Sequence, residues 1–312
     1  MPTIAMLFPG QGSQVVGMGK DFYDSSDLPS CRERFDQADK ILGRGLAEII
    51  FNGPVEELTK THNTQPALFV VEAAITDLLS ARGIAPTAAA GHSLGEYSAL
   101  YAAGVISFED GVRLVAARGE AMAEAGAASP GAMAAVLGMN RDKIAEVISG
   151  VKSGAVVTAN ENAPEQTVIS GEAAAVNEAC GLLKAAGAKR AMPLPVSGAF
   201  HSPLMQPAAE KLAKALESAK FSAPRCPVIA NVTAKPESDP AVLKDLLVKQ
   251  LVSPVRWVDS MRALSELSPR HCAEVGPGTV LKGLVKKCVP EMNILTCDSV
   301  NNLYSMLEQL NG

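Results

Sequence analysis

Apolar residues in this chain fall into short unbroken runs and longer runs of helical composition, and the two kinds alternate. Ile4-Ala5-Met6-Leu7-Phe8 is continuous and stops at Pro9-Gly10, as expected of a strand covered on both faces inside a parallel sheet. Pro66 through Ala81 has a helical composition closed by Gly83 and Pro86, and Thr87-Ala88-Ala89-Ala90 follows as a strand. Leu94 to Ala103 and Phe108 to Glu124 read as helices with a turn at Gly104 between them. This alternation predicts a doubly wound α/β sheet.

From Ala125 to Pro130 the chain turns to Ala, Gly, Ser and Pro, and the rhythm then changes. Ala132 to Leu137 reads as a strand, Arg141 to Ser149 as a helix, Ala155 to Ala159 and Thr167 to Ser170 as strands, Ala173 to Ala186 as a helix, and Lys189 to Leu194 as a strand. That βαββαβ order is the ferredoxin-like pattern. We therefore expect an inserted α+β small domain over 128–196 and a large α/β domain made of 1–127 and 197–312. The large domain resumes near Ser197, with helices from Pro203, Ala241 and Trp257, a strand at His271 to Val275 and a helix after Gly278.

Composition narrows the function. With 312 residues, 47% hydrophobic and 20% charged, the chain is neither disordered nor collagen-like and is long enough for about two domains. A net charge of -5 argues against a nucleic-acid surface. Six scattered cysteines show neither metal spacing nor a disulfide framework, so reduced thiols and no metal site are expected. No basic stretch precedes Ile4, and no apolar run approaches the roughly 20 residues of a membrane span. The expectation is a cytoplasmic protein, or one of an organelle stroma or matrix if a transit peptide has been removed.

Chemistry enters at Gly91-His92-Ser93-Leu94-Gly95, a G-x-S-x-G pentapeptide between a strand and a helix. Glycines two residues either side of Ser93 let the two backbones approach and present its hydroxyl as a nucleophile; the competing reading is a plain glycine-bounded turn. A base must come from four histidines. His92 would point away from its neighbour, His271 opens a strand, and His62 sits in a polar stretch. His201, before Ser202-Pro203, stands at the mouth of an expected helix whose dipole would keep the imidazole neutral, although a histidine merely packed before a helix fits equally. The N–H of Leu94 suits an oxyanion hole, with a second donor from the loop Pro9-Gly10-Gln11-Gly12-Ser13-Gln14. That loop is no dinucleotide fingerprint, because Val15 stands where the third glycine belongs. Arg118 lies on an apolar helical stripe and needs a carboxylate, either from Glu96 or Glu120 or from a substrate.

Together these segments resemble malonyl-CoA:acyl carrier protein transacylases and the acyltransferase domains of fatty acid and polyketide synthases. The resemblance spans nearly the whole chain. It includes Phe8 to Gln14 with Gly17-Met18-Gly19, Thr64-Gln65-Pro66-Ala67, Gly91 to Glu96, Ala117-Arg118-Gly119 and Gly198 to Met205. Asn231-Val232-Thr233, Gln250 with Pro254-Val255-Arg256-Trp257, and Glu274 to Gly278 complete it. It implies a hydrolase-like parallel-sheet large domain carrying a ferredoxin-like insertion. It also implies Ser93 as nucleophile, His201 as base, the N–H groups of Gln11 and Leu94 as oxyanion hole, and Arg118 as partner of the malonyl carboxylate. Gln65, Phe200 and Asn162 become substrate-binding residues, and the backbone carbonyl of Gln250 orients His201 in place of a carboxylate. Asn162 lies in Asn160-Glu161-Asn162-Ala163-Pro164-Glu165-Gln166, which departs from the family's Asn-Ser-Pro-Gly-Gln stretch.

The activity so implied is ping-pong transfer of malonyl from malonyl-CoA, through an acyl-serine, to the phosphopantetheine thiol of acyl carrier protein, for fatty acid synthesis. The partners are acyl carrier protein and coenzyme A thioesters, with no resident cofactor, no membrane and a monomeric state. Lys282, Lys286 and Lys287 recur at helical spacing and could meet an acidic carrier, or form a solvated face. Two rivals remain: a serine hydrolase, which would need a triad acid between Ser93 and His201, and a non-catalytic malonyl-CoA sensor, which would need no nucleophile.

Overall fold

Strand β1 (Thr3–Phe8) shows why its run is apolar throughout. In this computed structural model, which describes residues 3–25, 28–196 and 198–311, Ile4, Met6 and Phe8 pack into one core while Ala5 and Leu7 pack into another across the sheet. Parallel neighbours flank it, β2 (Ala85–Gly91) on one side and β9 (His271–Val275) on the other. Elsewhere lie β3 (Gly131–Leu137), β4 (Val156–Ala163), β5 (Gln166–Glu172), β6 (Arg190–Pro193), β7 (Val228–Ile229), β8 (Pro236–Glu237) and β10 (Ile294–Cys297). The large sheet runs β10-β9-β1-β2-β7-β8, parallel except for the β7-β8 pair. Long helices Thr61–Ala81 and Phe108–Ala128 pack together on one face. Gly119 allows their approach, since a Cβ there would lie 2.9 Å from His62 Cα.

A second sheet, β4-β5-β3-β6, is antiparallel throughout, and helices Arg141–Ile148 and Ala173–Ala185 cover it over a core of its own. This is the strand order of the ferredoxin-like pattern, and each element lies within a few residues of its expected span. Residue 197, where the sequence places the return to the large domain, lies outside the described residues. The helix Phe108–Ala128 runs one residue past the boundary drawn at 127, because the Ala-rich stretch after Glu124 favours helix. The small sheet is tied to the segment between helices Pro240–Gln250 and Trp257–Glu266 where Val255 N–H donates to Ala159 O at 2.8 Å and Glu161 N–H donates to Val255 O at 2.9 Å. That seam sets β4 over the carboxyl ends of the parallel strands.

The helix expected from Pro66 begins earlier, at Thr61, with the proline inside it. Proline has no N–H for the carbonyl of His62, and Arg44 Nη2 donates to that carbonyl at 3.0 Å. Pro203 to Met205 forms a single 3₁₀ turn, and the α-helix starts only at Gln206. No helix among the described residues is long and apolar enough to cross a membrane.

Candidate active site

The loops leaving β1 and β2 lie side by side at the carboxyl edge of the sheet, where Phe8 pairs with Gly91 and His92 N–H donates to Phe8 O at 2.9 Å. Three glycines permit this crowding. A Cβ on Gly91 would fall 1.9 Å from Gly95 C, one on Gly95 2.1 Å from Phe8 O, and one on Gly10 2.3 Å from His92 O. Ser93 takes the left-handed backbone, φ 53°, that an elbow demands, so the pentapeptide is more than a turn.

Ser93 Oγ lies 2.7 Å from His201 Nε2, and His201 Nδ1 lies 2.9 Å from Gln250 O. A carbonyl can only accept, so Nδ1 carries the hydrogen and Nε2 is left free to take the serine proton. Gln250 ends the helix Pro240–Gln250, whose last carbonyls have no partner within the helix. Burial, and after it the Arg118 guanidinium, lowers the His201 pKa to about 3, so the base rests neutral. The expected helix dipole is not the chief cause, because burial comes first and a 3₁₀ turn stands between the histidine and the helix that starts at Gln206.

Arg118 is buried, and its Nη2 donates to Ser93 Oγ at 3.1 Å and to Gln250 Oε1 at 2.9 Å. It forms no ion pair among the described residues, so the expected internal partners, Glu96 or Glu120, do not meet it directly, and its Nε has no partner. Glu96 stands behind Gln250, whose Nε2 donates to Glu96 Oε2 at 2.6 Å and to Ser93 O at 2.9 Å. The backbone N–H groups of Gln11 and Leu94 donate to nothing among the described residues, which leaves them free for an oxyanion.

A cavity of about 190 Å3 opens over Ser93 and His201, and Gln11, Gln65, Arg118, Phe200 and Asn162 line it. Gln65 Nε2 contacts Met122 Sδ at 3.2 Å while its buried Oε1 has no partner. Asn162 Oδ1 lies 2.7 Å from His92 Nε2, the His92 ring packs 5.3 Å from Trp257, and His92 lines the same cavity as Ser93. His62 and His271 make no hydrogen bond to Ser93 among the described residues. Lys282, Lys286 and Lys287 project from the exposed face of the helix Val280–Cys288, whose Leu281, Leu284 and Val285 are buried. The six cysteines are unpaired, and no group of three His, Cys, Asp or Glu side chains among the described residues could hold a metal.

The sequence reading missed Asn231 as a site residue. Asn231 is fully buried, its Oδ1 accepts from Ser93 N–H at 2.8 Å, and its Nδ2 donates to Gly91 O at 2.7 Å. It braces the elbow from both ends. Asn231-Val232-Thr233 was the available signal, yet a lone asparagine carries no spacing that links it to position 93.

The acyl transferase domain model matches residues 5–305. The malonyl CoA-acyl carrier protein transacylase of Bacillus subtilis strain 168 is 49% identical over 289 residues, 92% of this chain and 90% of that protein. The protein of that name from Escherichia coli strain K12 is 45% identical over 312 residues, 99% of each. In a solved structure of a holo type II PKS acyl carrier protein in complex with its malonyl-transacylase, the matching chain has a TM-score of 0.94 at 42% identity, covering 98% of this chain and 99% of that one.

Proposed function

This chain belongs to the acyl transferase family, and from that premise we propose that it moves malonyl from malonyl-CoA, through acyl-Ser93, to the phosphopantetheine thiol of an acyl carrier protein. The product supplies chain-extension units for fatty acid synthesis in the cytoplasm. The observation that carries this reading is Arg118: a buried cation 3.1 Å from the nucleophile, with no carboxylate bonded to it among the described residues, suits an acyl group bearing its own carboxylate.

Ser93 Oγ attacks the thioester carbon while its proton passes to His201 Nε2, and the carbonyl oxygen becomes an oxyanion held by the N–H groups of Gln11 and Leu94. Collapse breaks the C–S bond, and coenzyme A leaves as the thiol with the proton from His201. In the second half His201 takes the proton of the phosphopantetheine thiol, the thiolate attacks the malonyl-serine carbonyl, and Ser93 regains its proton. Arg118 holds the malonyl carboxylate throughout, while Gln65, Phe200 and Asn162 shape the pocket. The protein itself needs no resident cofactor, since the pantetheine arm belongs to the carrier, and it acts as a monomer.

Intact-mass spectrometry with malonyl-CoA tests this. A malonyl adduct should form, be absent in Ser93→Ala, fall roughly a hundredfold in rate in Arg118→Ala, and move to added holo carrier protein. Loss of the adduct to water at one rate, with or without carrier, would instead make the protein a hydrolase. Binding with no adduct would make it a sensor. The hydrolase reading already lacks support at His201, whose Nδ1 meets a carbonyl and no carboxylate.

A further inference from the structure

Glu96 has no task in the chemistry above, yet hydrogen bonds tie it to Gln250 and Asn231, the residues that hold the base and the elbow. It lies in the first turn of the helix Gly95–Ala102, three residues after the nucleophile, and is 1% exposed. Its Oε2 accepts from Gln250 Nε2 at 2.6 Å and from Asn231 N–H at 3.3 Å. An amide has one donating end and one accepting end, and an ionised carboxylate can only accept. Glu96 therefore fixes the Gln250 amide with Nε2 toward itself and Ser93 O, leaving Oε1 for Arg118 Nη2 at 2.9 Å. Among the described residues Arg118 has no direct acid, so the negative charge that answers it sits one amide away.

The charged or titratable groups around Glu96 are Arg118 from the helix Phe108–Ala128 and Tyr97 from its own helix. The segment with Asn231 and the helix ending at Gln250 contribute only the hydrogen bonds already named. His201 bonds to the carbonyl of the same Gln250 and stays neutral.

We propose that Glu96 is the resident counter-charge and positioning residue of Arg118, and that it takes up a proton from solvent when a carboxylate-bearing acyl group occupies the Arg118 subsite. The inference rests on the malonyl reading above. Before loading, the buried cluster holds one cation and one anion. Loading adds a second anion with no second cation, and a like charge in a water-poor site disfavours ionisation. Glu96 is the acid placed to give way. Burial already raises its pKa to about 7 against the pull of Gln250, Asn231 and Arg118, and an acyl carboxylate competing for Arg118 raises it further. An acetyl group brings no charge and asks for no proton.

The test is calorimetric titration of Ser93→Ala, which cannot form the acyl-enzyme, with malonyl-CoA and with acetyl-CoA in buffers of different ionisation enthalpy at pH 7.5. Coenzyme A phosphates are common to both thioesters, so their protons cancel. Malonyl-CoA should take up more protons than acetyl-CoA, by up to about one per site. Its affinity should weaken by up to about tenfold per pH unit above pH 7, because the bound state holds the extra proton. Adding Glu96→Gln should abolish both effects. Equal proton counts for the two thioesters would overturn the proposal, as would a malonyl-specific uptake that survives Glu96→Gln. The thioester comparison needs no change at position 96, so equal counts overturn the proposal even where the Gln variant does not fold. Malonyl-CoA affinity indifferent to Arg118→Ala would sink the malonyl reading and this inference with it. Arg118-dependent binding without the extra proton would sink only the role of Glu96.

Discussion

Replacing Asn231 with alanine should cost both stability and acylation rate, and the structure sets the size of each. The side chain is fully buried and spans the elbow, accepting from Ser93 N–H at 2.8 Å and donating to Gly91 O at 2.7 Å. Alanine removes the partner of both backbone groups, at about 1–3 kcal/mol each, or roughly 2–6 kcal/mol together. For a chain of 312 residues that lowers Tm by about 3–9 °C. The same two bonds hold Ser93 at φ 53°, where a residue with a Cβ is strained by about 1–2 kcal/mol. Without them the elbow relaxes and Oγ leaves its 2.7 Å contact with His201 Nε2. A displacement of about 1 Å at a nucleophile costs on the order of a hundredfold in rate. Thermal unfolding reads the first effect, and rapid-quench acylation by malonyl-CoA, followed by intact mass, reads the second. An unchanged Tm with a wild-type acylation rate would refute the reasoning. A lowered Tm with a wild-type rate in the folded protein would leave Asn231 as a packing residue and remove it from the site.

The low proton affinity of His201 predicts an acylation rate at saturating thioester that is level from pH 8 to about pH 5. The neutral ring is the active base, so activity is lost only as pH falls toward its pKa of about 3. A pH-jump acylation series showing an inflection near 6.5 would contradict this. Gly91→Ala should abolish acylation, because its Cβ would lie 1.9 Å from Gly95 C and O and 2.4 Å from Glu96 N. Gly181→Ala, in an exposed helical position with no atom within 4 Å of the added Cβ, should instead stabilise by up to about 1 kcal/mol in denaturant melts.

What the sequence revealed, it revealed through periodicity and spacing. The βαββαβ order could be read because each element is long enough to show its period, and β1 because a run of five apolar residues can hardly be anything but buried. The helices Lys20–Asp24, Leu46–Asn52 and Val55–Thr59 have five to seven residues, too few turns for a stripe to emerge. Strands β7 and β8 have two residues each and exist only through their neighbours. In the site, Ser93 announces itself by its glycines, whereas Asn231 and Glu96 act across 138 and 154 residues on Ser93 and Gln250. Arg118 was legible as a buried cation and Glu96 as one of its candidate partners, but the Gln250 amide that joins them was not, because Gln250 lies 154 residues from Glu96 and 132 from Arg118. Likewise the neutrality of His201 could be foreseen, and its cause could not, since burial is a property of the assembled core.

Gln250 is the residue on which these separate facts converge. Its carbonyl orients the base, and its side chain joins the cation, the buried acid and the nucleophile backbone. A triad aspartate at the same place would hold His201 as well, but it would add a full negative charge beside an Arg118 that lies 3.1 Å from the reacting oxygen. With Glu96 already answering Arg118 through the Gln250 amide, a second fixed anion would weaken the hold of Arg118 on an acyl carboxylate, and a charged acyl group would meet repulsion at the base. A carbonyl dipole gives the imidazole its tautomer without that charge. The imidazolium formed during attack is correspondingly less stabilised, so His201 returns its proton readily to the leaving thiol. The carbonyl that stands at His201 in place of an acid, and the Arg118 cation that meets no carboxylate directly among the described residues, are therefore one electrostatic arrangement, suited to a substrate that brings its own anion.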